Sequence, residues 1–395
     1  MVVSTWLNNL NNKPLRLRDP IDLWIHLASS LRQFLKGWGA NIGRDSRIEK
    51  DNLLSQVCAL DVSADTQGLD EDGWALRYHL EDQLINIFAR EEESWRQRGR
   101  LNWILKGDAN TAYFHAIANG RRRKCAITCL QSDSGSIMDK RDIQSHIYNF
   151  YLELMGSEEP KLISLSNPFW SSPSGCVSEE ENLALSLTFT PEELDEVVKE
   201  TKTETAPGPD GLPVKFFKTF WPLLKNLVLH ILNGFSLGQL DISRLNFGVL
   251  SLIPKVPGAE SIKQYRPIAL INVIFKFVSK AFATRLSPVA NRVIAHSQTA
   301  FIKGRFLNDG ALALHEIIHE IKISNQQAIV LKLDFEKAYD RVSWSFLREV
   351  LTKKGFDSGF IHRIMQLVMG GQTAISINGE MGHFFRNKRG VRQCR

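Results

Sequence analysis

Asp334 stands at the end of an apolar run and is the first residue whose position suggests chemistry. The run AIVLKLDF at 328–335 is rich in aliphatic side chains, which predicts a buried strand ending in an acid. A carboxylate where a strand ends lies at the sheet edge, where its oxygens could hold a hard cation such as Mg²⁺. That cation could bridge the carboxylate to a triphosphate, and Tyr339 could pack against the attached sugar. Taken alone, a capping or merely solvated aspartate is the better interpretation.

Two basic residues, Lys255 and Arg266, fall on neighbouring predicted strands at 247–255 and 264–271. A loop containing Pro and Gly joins these strands, so the two cations would face each other across a hairpin. Such a pair could clamp a triphosphate, because ammonium and guanidinium groups form strong hydrogen bonds with phosphate oxygens. Taken alone, two surface charges on a hairpin are the simpler explanation.

The segment QTAFIKGR at 298–305 combines aromatic, basic and glycine residues. This composition suits the close approach of a nucleic-acid strand, which needs a positive surface and stacking side chains. As an isolated segment it is also typical of an ordinary surface loop.

His315, Glu316 and His319 form the pattern H-E-x-x-H. On a helix the two histidines would share a face and could bind Zn²⁺, with Glu316 as a base, so a zinc hydrolase is one alternative. No third ligand follows in the sequence. An amphipathic helix with histidines near its polar edge explains the segment better.

The elements that must position these residues mix helices and strands without a regular βαβ repeat, which predicts an α+β fold. The Thr190-Pro-Glu-Glu193 sequence predicts a capped helix start, and TAPGPDGLP at 205–213 predicts a turn cluster. The hairpin candidate at 372–385 has Asn378-Gly379 as its turn. Further helices are predicted near 70–98, 216–231, 273–287, 308–323, 343–354 and 359–369.

Composition bounds the class of protein. The 395 residues carry 49 Lys and Arg against 43 Asp and Glu, and this mild basic excess is compatible with a polyanionic partner. The usage is that of a globular protein, which excludes collagen-like, coiled-coil and wholly disordered chains. Five cysteines form an odd, sparse set that favours a reducing compartment. No signal peptide and no apolar run of about 18 residues is present, so we expect no membrane span.

Composition breaks divide the chain into three regions. Residues 1–156 read as a mostly helical region, and 157–180 reads as a Ser- and Pro-rich linker. Residues 181–395 carry the sharper motifs. Basic clusters lie at 121–124 and 386–395 and could be solvated surface or could face phosphates.

The ordered motifs APGPDGLP, LIPK with QYRPIALIN, QTAFIKGR, LDFEKAYDRVSW and RGVRQ resemble the reverse transcriptase of LINE-type (non-LTR) retrotransposons, most closely the plant members. The stretch WRQRGRLNWILKGDANTAYFHAIANGRRRK also looks like the segment upstream of the polymerase in these proteins. The resemblance runs from about 40 to 394. It implies a partial right-hand polymerase, with fingers and an incomplete palm, preceded by the helical region.

The resemblance also implies roles for individual residues around the nucleotide. Asp334 takes the place of the first metal-binding catalytic aspartate for Mg²⁺, or Mn²⁺, and Phe335 would offer its backbone carbonyl to a metal. Tyr339 matches the aromatic gate against a ribose 2′-OH, and Lys255 and Arg266 match the residues on the triphosphate. A further nucleotide contact is implied for Gln393.

Two other motifs are implied to lie against nucleic acid. The positions near template and primer are Gln298, Phe301, Gly304 and Arg305. The positions where template RNA contact is expected are Pro207, Gly208, Asp210 and Gly211. The implied partners are thus an RNA template, a DNA primer and deoxynucleoside triphosphates, and the nucleus follows by analogy with the family.

The sequence departs from the family pattern at its end. The pattern continues R-Q-G-D-P, whereas this chain reads Arg392-Gln393-Cys394-Arg395 and contains no later Tyr/Phe-x-Asp-Asp turn. The endonuclease, thumb and zinc knuckle of the family are also absent from it. We therefore expect a fragment that is inactive by itself, with an unpaired edge and an uncovered apolar face at the Asp334 strand. A non-catalytic RNA-binding module is the alternative.

Overall fold

The computed structural model describes residues 19–99, 116, 119–120, 125–132, 135–157, 165 and 175–392. The chain divides into two compact units. The first comprises Met1–Ala28, Cys129–Ile253 and Glu260–Arg395, and the second comprises Ser29–Thr128 and Pro254–Ala259. The basic cluster at 121–124 and residue Gln393 lie outside the described residues, as does most of the predicted linker at 157–180.

The second unit is built from two long helices. Helix α1 spans Pro20–Gln67, beginning in the first unit, and α2 spans Glu71–Gly99, which confirms the helix predicted near 70–98. Leucine and isoleucine side chains at helical spacing on α2 bury themselves against α1. This small apolar core contains Leu53, Leu80, Leu84 and Ile87.

A hairpin and a helix begin the main part of the first unit. Strands β1 (Leu130–Ser132) and β2 (Gly135–Ile137) pair antiparallel. Helix α3 (Lys140–Gly156) follows, and the Asp139 carboxylate caps it by accepting from the first backbone N–H groups. The sequence analysis predicted neither strand, whereas α3 falls in the region 1–156 that it read as mostly helical.

Four helices then precede the sheet: α4 (Glu179–Ser186), α5 (Pro191–Glu200), α6 (Val214–Thr219) and α7 (Trp221–Ser236). The predicted cap of α5 is confirmed, because Thr190 and Glu193 accept reciprocally from each other's backbone N–H. The single helix predicted at 216–231 is wrong. It is two helices that meet at Phe220, since Pro222 cannot donate to the carbonyl one turn earlier.

One mixed sheet organises the rest of the first unit. Strand β3 (Phe247–Pro254) lies between β4 (Tyr265–Ile271) and β5 (Gln372–Ile377), and it pairs parallel with β5 so that Phe247 opposes Gln372. Strands β6 (Glu380–Met381) and β7 (Phe385–Arg386) both pair antiparallel with β5. Asn378 and Gly379 have positive φ at the β5–β6 turn, which confirms that hairpin.

Helices cover the sheet and complete the mixed architecture. Helix α8 (Val273–Val293) is strongly buried, with Phe277 and Val278 fully enclosed. Helix α9 (Leu307–Ile323) confirms the prediction at 308–323, yet none of its side chains is buried. Helices α10 (Trp344–Lys353) and α11 (Ser358–Val368) pack on each other through Trp344, Ile361 and Met365.

The segment 328–335 corrects a central prediction. It forms no strand, and its backbone takes no part in the sheet. Its apolar side chains are exposed, with Ile329 at 97% and Phe335 at 73%. A run rich in aliphatic residues becomes a strand only where another strand accepts its hydrogen bonds, and no described strand does so here. The apolar side chains are thus uncovered, but on an irregular segment and not on the face of a strand.

Candidate nucleotide and nucleic-acid site

The turn that carries Tyr339 is held by backbone hydrogen bonds to a distant segment. The Val391 N–H donates to the Tyr339 carbonyl at 2.7 Å, and the Gly390 N–H donates to the Val342 carbonyl at 2.8 Å. The Trp344 indole N–H donates to the Gly390 carbonyl at 2.8 Å. The structure therefore fixes Tyr339 against the residues that lead directly to position 393.

Gly390 makes this docking possible. Its φ is +83°, and a Cβ atom there would lie 2.4 Å from the Asp340 carbonyl oxygen. Only glycine avoids both the strained backbone and the clash. The second position of the RGVRQ motif must therefore be glycine, because the turn at 336–341 packs directly against its backbone.

A buried aspartate with a tyrosine and a lysine near it lies at the same turn and was missed by the sequence analysis. The Asp340 side chain is only 3% exposed, and burial raises the pKa of its carboxyl while the Lys337 ammonium opposes the rise. Burial, and secondarily Asp340, raises the pKa of the Tyr151 hydroxyl on α3. The Lys337 Nζ lies 3.9 Å from the centre of the Phe150 ring. No spacing rule identifies Asp340 as buried, because its burial depends on α3.

Two predicted site residues come together in space. The rings of Phe301 and Tyr339 meet edge to face, with centroids 6.0 Å apart and planes at 87°. Phe301 has φ of 65° and its side chain is 87% exposed. A bulky residue with positive φ is a strained conformation of the kind found at functional sites.

Arg305 has a structural role that its motif did not reveal. Its guanidinium donates to the carbonyls of Asn291, Ile294, Ala295 and Gln298 at 2.6–2.8 Å, and so closes the C-terminal end of α8. The Gln298 side-chain amide donates to the Ala300 carbonyl, and Gly304 has φ of +85°. These contacts shape the loop at 298–305, and the predicted nucleic-acid contacts of its residues stay predictions.

The loop at 205–213 is shaped by packing on the end of β4. A Cβ atom at Gly208 would lie 2.5 Å from the Asn272 backbone nitrogen, so only glycine allows this approach. The Asp210 N–H donates to the Asn272 side chain, and the Asp210 carboxylate accepts from the Leu212 N–H. Gly211 has φ of +75°, and Pro207 is exposed. The predicted turn cluster is confirmed, and its predicted contact with template RNA stays a prediction.

The remaining predicted nucleotide contacts lie on the surface. Arg266 is exposed at the second position of β4, and Lys255 is exposed just after β3. Asp334 and Phe335 are exposed in the segment that forms no strand. The structure thus fixes Tyr339 and Phe301 relative to each other, whereas it holds Asp334 by no sheet hydrogen bond.

The described residues do not fit a complete divalent-metal site. They contain no group of three or more His, Cys, Asp or Glu side chains that could hold a metal ion. A two-metal polymerase site needs several carboxylates around two ions about 3.5–4 Å apart. Asp334 with the Phe335 carbonyl supplies too few oxygens to hold that pair of ions.

The H-E-x-x-H segment lies on α9, and His315, Glu316 and His319 are all solvent-exposed. Among the residues that the structure describes, no third His, Cys, Asp or Glu joins the two histidines in a group that could hold a metal ion. The structure therefore gives the zinc hydrolase alternative no support. In the part of the chain that the structure describes, no helix is both long and apolar enough to cross a membrane.

The sequence of this sheet-and-turn region defines its class. Residues 253–393 match the protein family described as "Reverse transcriptase (RNA-dependent DNA polymerase)". This span includes β4, the loop at 298–305, the Tyr339 turn and the segment that docks on it. The chain therefore contains a reverse transcriptase domain.

Relatives identify the kind of reverse transcriptase. The chain is 27% identical over 372 residues to the "Transposon TX1 uncharacterized 149 kDa protein" of Xenopus laevis. This alignment covers 93% of this chain and 28% of the relative. It is 25% identical over 254 residues to the "Retrovirus-related Pol polyprotein from type-2 retrotransposable element R2DM" of Drosophila melanogaster, covering 61% of this chain and 23% of the relative. The R2 polyprotein of Nasonia vitripennis is 26% identical over 202 residues, or 51% of this chain and 19% of the relative.

These relatives support the LINE type predicted from the sequence. Their names assign them to transposon TX1 and to R2 retrotransposable elements, and this chain spans less than a third of the length of each. The similarity extends over nearly all of this chain for the Xenopus protein and over between half and two thirds of it for the two R2 polyproteins.

Proposed function

We propose that the chain supplies the fingers and the first part of the palm of a right-hand RNA-directed DNA polymerase from a non-LTR retrotransposon. The observation that carries the proposal is the reverse transcriptase match over 253–393, which contains the docked Tyr339 turn. RNA template, DNA primer and deoxynucleoside triphosphates are the substrates. Helices α1 and α2 belong to the region upstream of the polymerase.

The nucleotide-binding part of the proposal uses exposed residues. Lys255 and Arg266 bind the triphosphate as cations, and Tyr339 excludes a ribose 2′-OH by occupying its space. The docking of Tyr339 and its contact with Phe301 support this gate, because a steric filter works only when its side chain is held in place. Gln393 follows the docked segment and lies near the nucleotide.

Asp334 is proposed as one metal-binding aspartate of the site. Because the residues that the structure describes offer too few ligands for two ions, the 395-residue polypeptide by itself is proposed to be inactive as a polymerase. Template and primer lie along the loops at 205–213 and 298–305, whose geometry is fixed by Gly208 and Arg305.

Primer extension tests the proposed inactivity. We expect the purified 395-residue polypeptide to add no nucleotide to a DNA primer on an RNA template, with Mg²⁺ or with Mn²⁺, because Asp334 alone cannot hold both ions. Extension products are resolved on a sequencing gel beside an active reverse transcriptase. Incorporation that Asp334→Asn abolishes would contradict the inactivity and show a working site.

Nucleotide capture can be tested without turnover. In the presence of a primer–template, ultraviolet crosslinking of 4-thio-dTTP opposite a template adenine is expected to label the protein. Arg266→Gln should lower the labelling, since it removes a proposed phosphate contact, whereas Arg348→Gln on α10 is a matched exposed control. Equal labelling of both variants would remove Arg266 from the nucleotide site.

A second candidate function is a non-catalytic RNA-binding module. The observation that favours it is the contrast between the well-packed β3, β4 and α8 and the exposed, unpaired segment that carries Asp334. For that module, salt-dependent RNA binding should survive Asp334→Asn and fail when Lys255 and Arg266 are both replaced by Gln.

A further inference from the structure

A pocket of about 590 Å³ opens beside α8 in the first unit. None of the residues given a nucleotide or nucleic-acid contact above lines it, although Thr205 of the loop at 205–213 does. Its walls come from the end of α5 and the residues after it, the end of β4, α8, the end of α11 and the docked segment 391–392. This volume lies within the range of roughly 300–1,000 Å³ that is typical of small-molecule sites. The pocket is therefore large enough for one nucleotide unit.

The ionisable side chains that line the pocket carry an excess of positive charge. The lining contains the basic side chains Lys202, Lys276, Lys280 and Arg392 and a single acidic one, Glu200. The Lys280 ammonium lies 3.1 Å from the Glu200 carboxylate, which neutralises the acid. A solvent-accessible concavity with this excess of positive charge attracts phosphate groups.

Much of the remaining lining is apolar. Ile271, Phe275, Leu367, Val368 and Val391 contribute to it. Such side chains shelter a flat apolar group, such as a nucleobase, from water. Basic and apolar side chains in one pocket match the two halves of a nucleotide.

The glycine at position 371 leaves room for the Arg392 side chain, which lines the pocket. A Cβ atom at Gly371 would lie 2.9 Å from a terminal nitrogen of Arg392. The guanidinium carbon of Arg392 also lies 5.8 Å from the centre of the Phe275 ring. The docked segment that fixes Tyr339 thus also places a positive charge in the pocket.

We propose that this pocket binds one nucleotide unit of a single-stranded polynucleotide, with the phosphate on the basic side chains and the base on the apolar ones. The inference rests on the proposed function for its polynucleotide partner, and it adds a contact to those proposed above for individual residues. A strand is favoured over an acidic peptide because apolar and basic side chains occur together in the pocket.

Fluorescence anisotropy with a labelled single-stranded RNA oligonucleotide tests the pocket in the 395-residue polypeptide. Lys276→Gln should weaken binding and lower the slope of log affinity against log salt by about 0.7, the loss of one phosphate contact. Ala283→Trp, which fills the pocket from the exposed side of α8, should weaken binding about tenfold, the order of one base contact.

Matched controls separate the pocket from general effects of charge and bulk. Lys322→Gln and Ala311→Trp make the same changes at exposed positions of α9 and should leave the affinity and the salt slope unchanged. Circular dichroism verifies that all four variants stay folded. Equal effects in the pocket and control variants would overturn the proposal.

Two further arms distinguish the occupant. Free ATP or dTTP that displaces the RNA from wild type, but binds Ala283→Trp poorly, would assign the pocket to free nucleotides instead of a strand and overturn the strand proposal. A poly-glutamate peptide that binds in a pocket-dependent way, in place of RNA, would also overturn it. RNA binding that is unchanged in both pocket variants refutes the pocket alone and leaves the proposed function standing, whereas wild type that binds no RNA refutes both.

Discussion

At the scale of single residues, glycines decide where distant segments can meet. Gly390 and Gly379 both have positive φ, but only Gly390 lies against another backbone. Two side chains show the complementary case. The Arg305 guanidinium satisfies several backbone carbonyls at the end of α8, and the Asp340 side chain is enclosed by its surroundings. Single substitutions at such residues therefore test the structure most directly.

Gly390→Ala should destabilise the protein more than Gly379→Ala. At Gly379 the new Cβ meets nothing within 4 Å, so only the left-handed backbone costs free energy, about 1–2 kcal/mol. At Gly390 the clash with the Asp340 carbonyl adds to that cost. Urea unfolding followed by tryptophan fluorescence measures the difference. Equal losses would show that the 390 segment does not dock on the Tyr339 turn.

Glu181 makes stability depend on pH. Its hydrogen bond with the Arg292 side chain lowers the pKa of Glu181 to about 2. Because this folded-state pKa is below the unfolded value of roughly 4.3, the stabilisation is complete above that pH and is lost as the pH falls toward 2. Both side chains are partly exposed, so the effect stays below about 1 kcal/mol.

Glu181→Gln should therefore decline less steeply in unfolding free energy below about pH 4 than the wild type does. Urea titrations at several acidic pH values provide the measurement. Glu179→Gln, in the first turn of the same helix, is the charge-matched control. A wild-type pH profile retained in Glu181→Gln would remove the ion pair as its cause.

At the scale of elements, two segments of similar apolar sequence adopt different structures. Strand β5 is buried between β3 and its antiparallel partners, whereas the run at 328–335 is exposed along its length. The difference lies in the available partner strands and not in the composition of the two runs. This contrast leads to a prediction about stability and self-association.

Ile329→Lys should leave the unfolding free energy nearly unchanged and reduce self-association. Its side chain is already in water, and an exposed apolar segment with unpaired backbone promotes aggregation. Ile375→Lys in β5 should instead unfold the protein, because it buries a charge in the sheet. Denaturant titration and light scattering measure the two effects. Strong destabilisation by Ile329→Lys would place the run in a packed sheet.

At the scale of the whole molecule, the two units differ in the size of their cores. The second unit is held by a small cluster of buried residues between α1 and α2. The first unit encloses large aromatic side chains that contact one another, such as Phe217, Phe235, Phe277 and Phe282. A small core supplies less free energy against local opening.

Amides of α2 should therefore exchange with solvent before those of α7 and α8. Hydrogen–deuterium exchange followed by mass spectrometry of peptides from each helix checks this order. The α9 peptide, which has no buried side chain, gives an internal reference for weak protection. Protection of α2 equal to that of α8 would contradict the ranking.

Much of the fold could be predicted because its signals are local. The Thr190 cap, the Asn378-Gly379 turn and the turn cluster at 205–213 each depend on residues within a few positions. The motif residues could likewise be located from their order. The irregular structure of the segment 328–335 could not be predicted. Its apolar composition indicates a potential for strand pairing and carries no information about whether a partner strand is present.

The sequence by itself determined the helical region, the mixed fold and the reverse transcriptase motifs, since local hydrogen bonding and side-chain periodicity encode them. Only the tertiary structure decided the parallel pairing of β3 with β5, the docking of Tyr339 on the 390 segment and the meeting of Phe301 with Tyr339. It also decided that Arg305 closes α8 and that Asp334 lies outside the sheet. These contacts join residues far apart in the chain, and their free energy depends on packing that no single segment contains.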